Sequence, residues 1–247
     1  MDRLIYVAMT GAAQTLSQQA TVSHNLANVG TTGFRAEYNV FRAVPVVGQG
    51  APTRAYVLDN SVGADFAPGP MQHTGRDLDV AVEGSGWIAV QAPGGGEAYT
   101  RDGNLQVSPN GVLQTRGGQP VMGEGGPISL PPDTNVTIAK DGTISAVQTG
   151  TRPSTVVTVG RIKLVDPPAA QLQKGADGLF RLAGRGDAPA DPKVTLASGT
   201  LEGSNVNAVE AMVAMITLAR QFDMQMKMLQ NADGNDKAAG QILNMNR

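Results

Sequence analysis

The chain has 247 residues, 41% of them hydrophobic but only 4% aromatic, and a net charge of −2 at neutral pH. That length allows one sizeable core plus a smaller unit, and the charge balance leaves no basic stripe to neutralise nucleic-acid phosphates. With no cysteine, disulfides and Cys-ligated metal sites are excluded, and a core short of aromatics must be built from Val, Leu, Ile and Ala.

All 15 prolines fall between Pro45 and Pro192, and 26 of the 31 glycines between Gly48 and Gly203. Both ends therefore permit helix and the middle does not. In the first helix Ile5, Met9, Ala12, Leu16 and Leu26 follow a four-three repeat whose remaining slots, Gln19 and Ser23, are polar but uncharged. Only Asp2 and Arg3 carry charge before Arg35. A helix so poor in charge and rich in Gln, Ser, Asn and Ala is suited to being surrounded by protein. The apolar run from Leu4 to Met9 is far shorter than the roughly 20 residues a bilayer requires, so no membrane insertion is expected. The first residues also lack the charged, apolar and cleavage regions of a secretory signal peptide.

Asn28, Gly30 and Gly33 tolerate left-handed backbone angles, which predicts that the helix ends near Asn28 in a sharp turn seated by Phe34. Short β-prone patches at Ala43–Val47 and Ala55–Leu58 predict an extended hairpin or connector. Further on, Leu78 to Glu83 alternates, Gly84-Ser85-Gly86 turns, and Trp87 to Val90 resumes, the pattern of a hairpin with one buried face. Turns are predicted at Asp102-Gly103, Asn110-Gly111, Asp141-Gly142 and Asp177-Gly178. Strands are predicted at 105–107, 112–115, 136–139, 156–165 and 179–182, giving an antiparallel barrel-like or sandwich domain.

The last forty-odd residues, Asn205 to Arg247, form a second helix-type run with nothing to break it before Gly234. Met212, Met215, Ala219, Phe222, Met226 and Leu229 lie at heptad spacing, and Val209, Val213 and Ile216 add a second apolar row. The fold expected is α+β: a central antiparallel all-β domain with N- and C-terminal helices pairing as a coiled coil. Its divisions are a helix in 1–34, an extended β connector in 35–75, the β domain in 76–189, a return connector in 190–204 and the second helix in 205–247. Limited proteolysis of such a chain is expected to leave a core near Tyr38 to Gly199.

Candidate chemistry is thin. His24 and His73 are the only histidines, neither has a second histidine at i+3 or i+4, and the lone carboxylate at such a spacing, Asp77 four residues after His73, does not complete a zinc site. Asp77, Asp79 and Glu83 could in principle do glycosidase-type acid and base work, but a turn cap and a solvent-facing strand residue are the simpler assignment. Gly94–Gly96 and Gly123–Gly126 lack the Lys-Ser/Thr and following helix of a phosphate loop. Ser85 has neither the Gly-x-Ser-x-Gly spacing nor a His/Asp pair to serve it. No catalytic residue, metal, cofactor or small-molecule substrate is expected.

Three separated motifs carry a resemblance. Asn25-Leu26-Ala27-Asn28 followed by Thr32-Gly33-Phe34-Arg35 resembles the signature of the bacterial flagellar basal-body rod and hook proteins. Leu78 to Val82 with Gly84 and Gly86-Trp87, then Tyr99-Thr100-Arg101-Asp102-Gly103, Gly111-Val112-Leu113 and Gly118, are similar to that family's β-domain pattern. Leu201-Glu202-Gly203-Ser204-Asn205-Val206, with Glu210, Met212, Ile216 and Arg220, resembles its C-terminal motif. The opening residues and modest length are most similar to the proximal-rod members. Trp87-Ile88 departs from the family's usual Phe pair, and His24 from its usual Asn.

The resemblance implies a structural subunit with no active site, delivered by the flagellar export apparatus without a cleaved signal peptide. Its expected partners are proximal and distal rod proteins in a helical assembly crossing the periplasm. The candidate assembly interface is Ile5, Met9, Leu16, Leu26, Asn28, Phe34, Met212, Met215, Ile216, Phe222, Met226 and Leu229. The alternative from another class is a secreted β-domain that binds or hydrolyses cell-wall polysaccharide.

Overall fold

The computed structural model describes residues 4–45, 55–132, 134–148, 156–184 and 186–245. Its elements in chain order begin with α1 (Leu4–Ala27), β1 (Glu37–Pro45), β2 (Ala55–Ala64), β3 (Met71–His73), β4 (Val80–Glu83), β5 (Trp87–Gln91) and β6 (Glu97–Thr100). Then come β7 (Leu105–Val107), β8 (Leu113–Thr115), β9 (Met122–Gly123), β10 (Gly126–Pro127), β11 (Thr134–Ile138) and β12 (Thr143–Gln148). The chain continues with β13 (Val156–Arg161), β14 (Leu164–Val165), β15 (Leu172–Lys174), β16 (Phe180–Leu182), β17 (Thr195–Ser198), β18 (Thr200–Glu202) and α2 (Ala208–Met245). Of the patch predicted at Ala43–Val47, Val46 and Val47 lie outside the described residues.

The chain divides into two compact units. The first comprises 1–27, 37–65 and 207–247. Here α1, 24 residues and about 36 Å long, packs against α2 and against both strands of the β1–β2 hairpin. Its inward side is small and polar: Ala8, Ala12 and Thr15 are buried, and a Cβ added at Gly11 would lie 2.4 Å from Gln225 Oε1. Helix α2 has 38 residues, about 57 Å, and is capped by Asn207, whose Oδ1 accepts from the amides of Val209 (3.0 Å) and Glu210 (3.4 Å). Glu210 also places a negative charge at the positive end of the helix. The helix continues through Gly234 in spite of that residue's cost of about 1 kcal/mol and the poor helix formers Asn231, Asp233, Asn235 and Asp236 around it, with Lys237 pairing to Asp233 across the glycine at 2.7 Å.

Asn25 closes α1 onto the hairpin as though it were one more strand. Its Nδ2 donates to Glu37 O at 2.7 Å, while its Oδ1 accepts from Glu37 N at 2.8 Å. The hairpin register shifts between Val40 and Phe41, a bulge that bends the ribbon.

The second unit comprises 28–36 and 66–206. Its strands form a five-stranded antiparallel sheet in the order β14-β5-β6-β16-β15, a three-stranded sheet β11-β12-β13, and the pairs β3–β18, β4–β17, β7–β8 and β9–β10. They surround one core that includes Val80, Val82, Ile88, Val90, Leu105, Leu113, Val121, Ile144, Ile162 and Leu196.

Several expectations are corrected here. No closed barrel forms among the described residues, because most strands run only two to six residues before a turn diverts the chain into another sheet. β4 and β5 are not a hairpin: β4 pairs with β17, and β5 with β6 and β14. Val80, Ala81, Val82 and Trp87 to Val90 are all buried, so both faces of these strands are covered rather than one. The segment read as a return connector contains β17 and β18, which complete the ladders of β4 and β3. Asp102-Gly103 is not a positive-φ turn. Glycine stands at 103 because a Cβ there would fall 1.6 Å from Val80 O, while Gly111, Gly142 and Gly178 do take the left-handed angle.

Candidate functional site

Helix geometry divides the single predicted seam into two faces within the first unit. On α1 the inner positions are Ile5, Ala8, Ala12, Thr15, Gln19, Val22 and Leu26, whereas Met9 and Leu16 are exposed together with Tyr6. On α2 the inward row is Ala211, Met215, Leu218, Phe222, Gln225 and Leu229, at alternating spacings of four and three. Met212, Ile216 and Met226 are exposed. Val209, Met212, Val213 and Ile216 are 69%, 52%, 58% and 56% exposed, and helical spacing sets them on the side of α2 opposite that row. Thus Ile5, Leu26, Met215, Phe222 and Leu229 are half-buried within one chain, and Met9, Leu16, Met212, Ile216 and Met226 present apolar surface to solvent.

Asn28 and Phe34, the remaining candidates, belong to the second unit, where parts of all three sequence motifs meet. Asn28 O accepts from Thr31 N at 3.1 Å, and Lys174 Nζ lies 4.0 Å from the centre of the Phe34 ring. Thr32 Oγ1 donates to Asp102 Oδ1 at 2.6 Å. Gly33, at φ +65°, passes so close to the Arg101–Asp102 peptide that a Cβ would sit 2.3 Å from Arg101 C. Its amide donates to Glu202 O at 2.8 Å.

Beneath this turn lies a buried ion triad. Glu202 Oε1 is 2.7 Å from Arg35 Nη2, its Oε2 accepts from Arg101 Nη1 at 3.0 Å, and Gly69 N donates to Oε1 at 2.9 Å. Arg35 and Glu202 have fully buried side chains and Arg101 is nearly so. Within the triad two guanidiniums face one carboxylate, and Asp166 adds a weaker counter-charge to Arg101. Part of the compensation comes from Trp87, whose ring centre lies 5.4 Å from the Arg101 guanidinium and 6.0 Å from that of Arg35. Trp87 also packs on Phe180 at 4.6 Å and on Phe66 at 5.9 Å. Arg101 donates further to Val82 O and Gly84 O. Burial, followed by the like charge of Arg35, pulls the Arg101 guanidinium below its ordinary range, and Glu202 acts in the opposite direction. Asn205 completes the cluster: Oδ1 accepts from Ala36 N at 2.7 Å and Nδ2 donates to Ala67 O at 3.0 Å.

The carboxylates considered for acid and base work have structural partners. Asp79 accepts from Arg76 Nη1 (3.0 Å) and Thr74 Oγ1 (2.8 Å), and Glu83 accepts from Thr195 Oγ1 (3.0 Å) and pairs with Lys140 (2.8 Å). Ser85 Oγ donates to Asp166 at 2.7 Å. Among the described residues no group of three or more His, Asp or Glu side chains is arranged to hold a metal ion.

The sequence assigned no role to Arg35, Arg101 or Glu202, and to Asp102 only a turn, although the motifs contain them. The available signal was charge embedded in otherwise apolar and glycine-rich stretches, since such residues are rarely buried unless paired.

Three family profiles match the chain: the flagella basal body rod protein profile over 5–35, the flagellar hook protein FlgE/F/G D1 domain over 81–146, and the flagellar basal body rod FlgEFG protein C-terminal profile over 197–242. The chain is 51% identical over 251 aligned residues to the flagellar basal-body rod protein FlgF of Salmonella typhimurium, covering 99% of this chain and all of the relative. It is 34% identical to the protein of that name from Caulobacter vibrioides, with 94% of each covered. It is 30% identical to a flagellar basal-body rod protein FlgG of Buchnera aphidicola, with 93% and 95% covered.

Proposed function

This chain belongs to the flagellar basal-body rod proteins and is a structural rod subunit; we propose further that it occupies the proximal rod and assembles through the outer faces of its two terminal helices. The observation that carries this reading is the apolar row Val209, Met212, Val213 and Ile216, which the chain's own fold leaves uncovered. A surface helix that ends in its own domain normally turns charged residues outward. Here apolar side chains stand there instead, as a subunit–subunit contact requires.

In this reading residues 1–34 and 205–247 build an inner coiled-coil layer with the helices of neighbouring subunits. The β domain predicted at 76–189 takes in β17 and β18 from 190–204 and β3 from 66–75, leaving the β1–β2 hairpin of 37–65 with the helices. A contact between unlike faces of successive copies or relatives does not close on itself and so propagates a helical assembly. The proposed partners are the other proximal and distal rod subunits, reached after delivery by the flagellar export apparatus without a cleaved signal peptide, in the part of the flagellum that crosses the periplasm. No catalytic role is assigned. Asp79 and Glu83 are each held by structural partners, which gives the cell-wall hydrolase reading no support.

The test is genetic and microscopic together. Cells lacking the gene are expected to be non-motile with incomplete rods, and a copy of the chain supplied in trans restores both. Swimming cells with complete rods in its absence would overturn the proposal.

A further inference from the structure

The segment 194–206 arrives late in the chain yet supplies parts of the second unit that nothing earlier can replace. β17 is the strand partner of β4, whose Val80, Ala81 and Val82 are fully buried, so without it the amides and carbonyls on that edge of β4 lie in the core without a ladder. Val194 and Leu196 are themselves core residues. Among the described residues Glu202 is the one carboxylate paired with both Arg35 and Arg101, Asp166 acting on Arg101 only as a weaker, unbonded charge, and its bonds to Arg101 and Gly69 span 101 and 133 residues of sequence. Arg35 Nε and Nη1 and Arg101 Nε reach no hydrogen-bond acceptor among the described residues, and Arg35 Nη2 meets Glu202 only as an ion pair, so Arg35 depends on this one carboxylate, whereas Arg101 also has the carbonyls of Val82 and Gly84.

From this topology we infer that Glu202 is a folding latch: the second unit cannot close until the chain has been supplied through about residue 206, when the carboxylate seats between Arg35 and Arg101. Before that point, assembling the core would bring two positive charges together beside Trp87 in an apolar pocket, where burying an uncompensated charge is prohibitive. The chain is thereby kept open for nearly the whole of its synthesis, and closure depends on charge as well as on the added strands. The inference concerns a single chain and does not rest on rod assembly.

Two measurements test it. In the full-length protein Trp87 is the sole tryptophan and reports directly on the pocket. Glu202→Gln is expected to lower the melting midpoint read by its fluorescence by roughly 10 °C. Adding Arg35→Met to Glu202→Gln removes one of the stranded charges and is expected to recover part of that loss, a pattern that loss of packing alone does not produce. If Glu202→Gln melts like the wild type, or the double variant is no more stable than Glu202→Gln, the latch is refuted. In the second measurement, nascent chains are stalled on the ribosome with either residue 194 or residue 206 just emerged. Protease resistance of the second unit is expected only in the longer chain. Resistance already present when residue 194 has emerged would overturn the inference by itself.

Discussion

Replacing Ile216 by aspartate separates the two demands placed on α2. In the free chain Ile216 is 56% exposed, so less than half of the roughly 1.5–3 kcal/mol from burying such a side chain is realised there. The substitution should therefore cost the monomer about 1 kcal/mol, including a few tenths from helix propensity. The exposed remainder of Val209, Met212, Val213 and Ile216 amounts to about 1 kcal/mol each, or about 4 kcal/mol for a partner that covers the row. An aspartate in the middle of that contact forfeits its share and strands a carboxylate, together about 4 kcal/mol, or roughly a thousandfold in subunit affinity. Arg220 lies one helical turn away and can pair with the new charge in water, so Val213→Asp repeats the test beside Val209 and Thr217. Both variants should melt close to the wild type yet fail to restore swimming and complete rods in cells lacking the gene. Leu218→Asp, in the inward row, should instead destabilise the isolated protein. Full complementation by Ile216→Asp and Val213→Asp would show that the outer row touches no neighbour.

Gly33→Ala is expected to lower the melting midpoint by at least 5 °C, since it combines a left-handed backbone angle with a Cβ 2.3 Å from Arg101 C, at a cost of about 2 kcal/mol or more; an unchanged midpoint in a thermal melt contradicts the geometry. Burial pushes the Asp102 carboxyl above its ordinary value, against hydrogen bonds from Thr32 and Asn104. The folded form therefore holds that proton longer than the unfolded chain, and this residue's contribution to stability falls as pH rises from about 4 through its folded pKa. Asp102→Asn should lose that fall, so the difference in urea midpoint between variant and wild type grows from pH 4 to 7 in the variant's favour; a pH-independent difference would refute it. Limited proteolysis should attack the terminal helices first and leave a core that retains both Arg35 and Glu202, as mass spectrometry of the fragments will show.

That last expectation revises the one drawn from sequence, in which the core ran from Tyr38 to Gly199. Composition located the β region correctly, because proline and glycine exclude long helices from the middle of the chain. The helix end near Asn28 and the left-handed angles at Gly111, Gly142 and Gly178 were likewise legible, since each is a local property of a few residues. Strand partners were not. β4 followed by Gly84-Ser85-Gly86 and β5 has every local feature of a hairpin, yet β4 pairs with a strand more than a hundred residues later. Periodicity records which side of a strand is apolar, and when both sides are buried it carries no information about the neighbour. The helical repeat was misread for a related reason. Rows based on 212, 219 and 226 and on 211, 218 and 225 both satisfy a seven-residue spacing, and only packing decides which faces inward.

The residues that close the chain on itself, most of them in the motifs, do different work from the helix face that carries the proposed assembly, although Met212 and Ile216 belong both to that face and to the C-terminal motif. Gly33 is fixed by a peptide 2.3 Å from where its Cβ would be, Gly69 by Gly203 O at 2.1 Å, and Glu202 by two arginines and an amide, so almost any replacement at these positions disturbs several contacts. Val209, Val213 and Ile216 require only an apolar side chain of suitable size in the free subunit. The proposed assembly row asks less of each residue, and of its four members only Met212 and Ile216 fall within a motif. The two classes should separate experimentally: changes in the triad should reduce soluble, folded protein, and changes in the outer row should leave folded protein that does not assemble.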